Sequence, residues 1–183
     1  MTKKWKIVLL LFFSIIVIMI TAVAFLRMQT KKHSPMDTVT FDKGGLELKT
    51  VYYRPYKKGR IIFGDAEDGA LQPFGVYWRL GANDATTIEI NKDVTFAGQS
   101  LKAGKYAVYA YPGKSNWQIN VNSKANLWGA AEPDHDTDVL TVTVAVNYSD
   151  EVLEQFKITF EATSEGAEMV LRWDTSVVRI PIN

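Results

Sequence analysis

The stretch DVLTVTVAV, residues 138–146, decides how the chain folds: Leu140, Val142, Val144 and Val146 fall on one face, with Thr141 and Thr143 opposite. Successive side chains of an extended strand point to opposite faces, so this alternation predicts a strand with one buried side. The same period of two recurs outward in both directions. It is found at Leu46 to Tyr53, Thr86 to Asn91, Tyr106 to Tyr111 and Trp117 to Val121, then at Phe156 to Glu161, Glu168 to Trp173 and Val177 to Ile182. Ala103-Gly104, Pro112-Gly113 and Asn122-Ser123 stand at the junctions, where tight or left-handed backbone is needed. Asp150 to Gln155 reads as a single helical turn. Short strands at this spacing predict an all-β domain of two packed antiparallel sheets, a β-sandwich of jelly-roll or immunoglobulin-like type.

A different physics governs the N-terminus. Residues 7–26 contain no charge, with Lys3, Lys4 and Lys6 before them and Arg27, Lys31 and Lys32 after. About 20 apolar residues at 1.5 Å per residue match a hydrocarbon core of about 30 Å, so one transmembrane helix is expected. A cleaved signal peptide is the competing reading, since Ala22-Val23-Ala24 has the small-x-small form of a processing site. Either way the rest of the chain leaves the cytoplasm and the lysine-rich start stays inside. The expected organisation is an anchor or signal segment at 1–32, a polar linker at 33–45 and the β domain at 46–183.

The 183 residues hold no cysteine, which removes disulfides, thiolate nucleophiles and a lipid-carrying N-terminal cysteine. The fold is expected to hold by packing alone. Six of the 21 basic residues lie in the leader and none of the acidic ones do, leaving 15 against 20 in the remainder, a net charge of −5. That balance argues against nucleic acid as a partner, because phosphate binding needs a basic face.

Two neighbouring stretches are unlike plain sandwich sequence: VYYRPYKKGRIIFG at 51–64 and PFGVYWRLGANDATT at 73–87. The order RPxxKGRxIFG, PxGxxWRxGANxAT, AGxY, then Trp117, Trp128-Gly129 and Asp138-Val139 resembles the bacterial family known as domain of unknown function 2911, over roughly residues 46–182. The resemblance implies a secreted or envelope β-sandwich of Gram-negative bacteria and carries no activity with it. After the IFG, where members of that family usually carry Gly-Leu-Val, this chain reads Asp65-Ala66-Glu67-Asp68.

From the residues themselves, Arg54, Arg60 and Arg79 suit bidentate recognition of a carboxylate or phosphate, with Asn83 and Thr86 adding neutral partners and Trp78 an aromatic one. The alternative is that these arginines lock strand ends through Asp84, Asp65 or Glu89, while Gly81-Ala82-Asn83 makes a tight turn. Trp117 and Trp173 alternate in phase with Ile119 and Leu171 and belong to the core. Trp128, in the loop NLWGAAEPDHD at 126–136, is a candidate stacking platform for saccharides. Asp134, His135, Asp136 and Asp138, with Glu132, form the one cluster resembling a hard-cation or acid/base site. Its spacing is not that of a calcium-binding loop, so a solvated acidic loop is the expectation, with no metal and no cofactor. G-x-S-x-G, H-E-x-x-H, phosphate-loop and dinucleotide patterns are all missing.

The leading functional expectation is a membrane-tethered, non-catalytic module for a saccharide, an anionic small molecule or an envelope structure. A hydrolase using the arginine cluster with His135 is the second reading. A protein-interaction domain whose sheet edge accepts a partner strand is the third.

Overall fold

The computed structural model describes residues 3–183, so Met1 and Thr2 of the expected leader lie outside it. Lys3–His33 forms a continuous helix, α1, and the chain divides after His33 into this helix and a second unit, Ser34–Asn183. The helix has a mean hydropathy of 3.1 over its most apolar window, none of which is buried, so by length and composition it can cross a membrane.

Eleven strands follow: β1 (Met36–Lys43), β2 (Leu46–Tyr53), β3 (Phe63–Gly64), β4 (Gln72–Pro73), β5 (Thr86–Ile90), β6 (Val94–Phe96), β7 (Gln99–Leu101), β8 (Gly104–Tyr111), β9 (Asn116–Asn122), β10 (Asp138–Ala162) and β11 (Ala167–Ile182). Nine of them hydrogen-bond as one antiparallel sheet in the order β1-β2-β5-β8-β9-β10-β11-β6-β7, and β3 and β4 make a tiny parallel pair. The all-β, antiparallel expectation is met at this level.

Three expectations change. The linker at 33–45 is instead the end of α1 followed by β1, an edge strand in which only alternate residues are half-buried, so its alternation was too weak to read. Asp150 to Gln155 is no helical turn. It lies within β10, whose pairing with β11 shifts register between Tyr148 and Leu153 and again between Leu153 and Lys157. The runs 138–146 and 156–161 are therefore two parts of one 25-residue strand. The first part pairs with β9 and the second only with β11.

The core lies on the face that the sequence alternation selects. Val108 and Ala110 of β8, Trp117, Ile119 and Val121 of β9, and Leu140, Val142 and Val144 of β10 are all buried there. Trp78 stacks on Trp173 at 5.8 Å between ring centroids and meets Trp117 edge-on at 5.5 Å, with Phe63 and Phe156 against the same group. Distant strands meet through this core: Ile158 of β10 donates its backbone N–H to the Tyr52 hydroxyl of β2 at 2.9 Å, and Phe41 of β1 touches Phe160. Burial is the main cause that pushes the Tyr52 hydroxyl up to about 12.

Candidate functional site

The strand pleat puts a second set of residues on the outer face of the same strands. In β8 and β9, Tyr109 lies opposite Asn120 and Tyr111 opposite Gln118, while Val108 and Ala110 point to the core. Residues 76–79 extend the sheet at this level. Trp78 exchanges both backbone hydrogen bonds with Ala110 and turns its ring inward, and the Tyr77 ring packs on Tyr109 and Tyr111.

The loop 123–137 folds down over this outer face. Ser123 N–H and Oγ both donate to the Thr137 carbonyl, pinching the loop at its base. Asn122 pins the two ends from below, its amide donating to Asp134 O, Thr137 Oγ1 and Asp138 Oδ1 and its carbonyl accepting from Lys124 N–H. Farther along, Tyr77 donates to Gly129 O at 3.3 Å and Ala85 N–H donates to Leu127 O at 3.2 Å. A Cβ on Gly129 would stand 2.8 Å from Arg79 Cδ, so only glycine lets the loop lie this close.

Beneath the loop sits an ordered polar network. Asp138, whose side chain is 9% exposed, accepts at Oδ2 from Tyr109 OH (2.5 Å) and Asn120 Nδ2 (3.0 Å), and His135 Nδ1 approaches the same oxygen at 3.0 Å. Burial alone would raise this carboxyl. The donors from Tyr109, His135, Asn122 and Asn120 outweigh it and hold the group below the usual carboxylate range. Facing solvent, His135 Nε2 lies 3.2 Å from Tyr111 OH and 3.3 Å from Glu132 Oε1, and Tyr111 donates to Glu132. Burial raises the Tyr77, Tyr109 and Tyr111 hydroxyls, and neighbouring carboxylates add to it for each. Among the described residues no group of three or more histidines, cysteines or carboxylates is placed to hold a metal ion; His135 is hydrogen-bonded to Asp138, and Asp136 N–H donates to Asp134.

Next to the network, and sharing its loop, is an open groove of about 400 Å³ lined by Met36, Tyr53, Asp84, Thr87, Asn126 and Trp128. Trp128 is 39% exposed, and Tyr53 donates to Asp84 at 2.8 Å. The turn beneath the groove is strained: Leu80 and Asn83 both have φ above +50°, and a Cβ on Gly81 would lie 2.6 Å from Tyr53 O.

Of the seven residues that the sequence singles out, Arg79 is hydrogen-bonded to both Asn83 and Thr86 around one turn, and the others have separate partners. Arg54 reaches Asp37 at 3.3 Å and the Phe156 carbonyl, Arg60 donates to the carbonyls of Tyr56 and Lys57, and Arg79 donates to Asn83 O. The three arginines therefore have three separate sets of partners, none of them the Asp84, Asp65 or Glu89 expected for strand locking. Burial lowers the Arg79 guanidinium from its ordinary value. Trp78 is core, at 1% exposure, and Thr86 is buried with its hydroxyl on Leu80 O. Asn83 is nearly buried in the strained turn, its amide on Ser34 O. Trp128 alone of the seven lines the groove. Asp84, Asn120 and Asn122 were not singled out. Asn120, opposite Tyr109, and Asn122, opposite Ala107, lie on the outward phase of β9 and carry no local signal that this face is also covered.

Fold and site together define a mostly β domain behind an apolar helix, with a loop-covered polar network and an aromatic groove at one face of its sheet. Residues 34–182 match the family described as Protein of unknown function (DUF2911), and the chain belongs to that family. Comparisons with curated proteins and with solved structures return no match.

Proposed function

We propose that this chain is a membrane-tethered, non-catalytic binding module that presents its β domain outside the cytoplasm and takes a hydroxyl-rich, saccharide-type ligand in the Trp128 groove. The observation that carries this reading is the groove itself. An exposed indole beside Tyr53, the Asp84 carboxylate and the Asn126 amide joins a flat apolar platform to a few polar groups, the usual make-up of a small-molecule site. The strained turn at Leu80–Asn83 supports it, because strain collects where structure is held for function. His135, the best-placed acid/base group, does not line the groove, which favours binding over catalysis. Tethering is supported by the unbroken apolar helix α1, which runs straight through Ala22-Val23-Ala24. In this reading the nine-stranded sheet closes on itself as a sandwich, supported by the Tyr52–Ile158 and Phe41–Phe160 contacts.

The test is a thermal-shift series on the full chain in detergent against neutral and acidic oligosaccharides, with phosphorylated and carboxylated metabolites beside them. A ligand that binds only the folded state raises the melting temperature, by an amount that grows with the logarithm of its excess over Kd. A dose-dependent rise with a saccharide, abolished by Trp128→Ala, is expected. A rise only with small anions, unaffected by Trp128→Ala, would refute the assignment.

A further inference from the structure

His135 carries a carboxylate at each ring nitrogen, Asp138 Oδ2 at 3.0 Å from Nδ1 and Glu132 Oε1 at 3.3 Å from Nε2. A neutral imidazole has one N–H, so only the imidazolium donates to both. The other groups facing the ring cannot replace the missing proton. From β8, Tyr109 OH stands 3.0 Å from Nδ1 but gives its one hydrogen to Asp138 at 2.5 Å, and Tyr111 OH has one hydrogen to divide between Glu132 and Nε2. From β9, the amides of Asn120 and Asn122 are engaged with Asp138. From the 77–79 segment, Tyr77 feels the charges of Arg79 and Glu132, and Arg79 donates to Asn83 O.

The two carboxylates are not equivalent. Asp138 is nearly buried and held by donors from two strands, whereas Glu132 is 48% exposed and lies at the outer end of the loop. When His135 loses its proton, Nδ1–H stays on Asp138, and a bare nitrogen lone pair is left facing the Glu132 oxygen. The Glu132 contact is therefore the one that yields. Four residues before it stands Trp128, joined through Gly129, whose carbonyl accepts from Tyr77.

We propose that His135 is a pH-operated clasp: its imidazolium ties Glu132 to Asp138, fixes the 126–132 segment over the sheet and so holds Trp128 in place at the groove, and deprotonation releases that segment. The effect on ligand affinity rests on the groove reading above; the effect on the loop does not. The hydrogen bond His135 donates to Asp138, helped by the one it donates to Glu132, outweighs desolvation and raises His135 above its ordinary 6.5. A raised histidine contributes its stabilisation in full below its unfolded value and loses it as pH climbs through the folded one. The clasp is therefore closed in mild acid and opens from neutral pH upward.

The experiment uses the full chain in detergent micelles without ligand. NMR titration of the ring protons compares His135 with His33, and amide exchange of residues 126–132, corrected for the intrinsic rate, is measured at pH 6 and pH 9. His135 is expected to titrate above 6.5, and protection of the segment to fall about tenfold on going to pH 9, the worth of one charge-assisted hydrogen bond. His135→Gln is expected to remove the pH dependence and leave the segment in its weakly protected state. Glu132→Gln, whose amide can donate to the neutral Nε2, is expected to keep protection at both pH values. A His135 that titrates at or below 6.5, or protection equal at pH 6 and pH 9, overturns the proposal. A loop that responds to pH in a protein that binds no saccharide would refute the groove reading and leave the clasp standing. A saccharide bound with equal affinity at both pH values would refute the coupling of the clasp to the groove and leave the groove.

Discussion

The two faces of β8 and β9 are built from alternate residues of the same strands, yet they are covered by different chemistry. The inner face offers Val108, Ala110, Trp117, Ile119 and Val121 to an aromatic core centred on Trp78 and Trp173. The outer face offers Tyr109, Asn120 and Asn122 and is also buried, but beneath a loop and around the carboxylate of Asp138. Burying apolar surface is favourable without direction and indifferent to protons. Burying amides and a carboxylate is tolerable only while each finds its partner, so the outer face is specific, titratable and easily undone. Stability resides on one side of the sheet and responsiveness on the other.

The sharpest contrast comes from emptying each face in turn. Trp78→Ala removes one of the three indoles of the inner cluster and is expected to cost about 3–5 kcal/mol, read by denaturant unfolding of the full chain in detergent. A loss below about 1 kcal/mol would break the picture of a close-packed inner face. Asp138→Ala leaves Asn120, Asn122 and Tyr109 without their shared acceptor beneath the loop and is expected to cost about 2 kcal/mol. Its amide-exchange footprint should be confined to 123–137 and the adjoining outer residues of β8 and β9.

The acid limb of the stability curve sharpens the comparison further. Asp138 is held below the usual carboxylate range, so its contribution is present above its unfolded value of about 3.9 and is lost as pH falls through the lowered folded one. The melting temperature of the native chain should therefore fall more steeply below pH 4 than that of Asp138→Ala. Parallel acid limbs would assign the loss to other carboxylates. The smallest expected effect is that of Trp128→Ala, within about 0.5 kcal/mol of the native chain because the ring is partly in solvent and fills no core space. A large destabilisation there would make Trp128 part of the covering and not of a site.

Much of the inner face was legible in the sequence. Leu46 to Tyr53 coincides with β2, and Trp117 and Trp173 are core as their phase requires. The outer face was not legible in the same way. Asn120, Asn122 and Tyr109 follow the pattern of solvent-facing residues, and nothing local says that the loop following β9 will fold back to cover them. The arginine cluster illustrates the converse. Arg54, Arg60 and Arg79 are close in sequence and chemically suited to one anion, but each is taken by its own partner.

By itself the sequence determined the apolar helix, the all-β class, most of the strands and the inward phase of the core, because these depend on local composition and on a period of two that each strand carries alone. The tertiary structure decided the rest: that β1 pairs as an edge strand, that 138–162 is one bent strand shared by β9 and β11, and that the loop 123–137 lies over Asp138. Those outcomes depend on pairings and buried polar contacts between residues far apart in the chain, whose partners exist only once the sheet has formed.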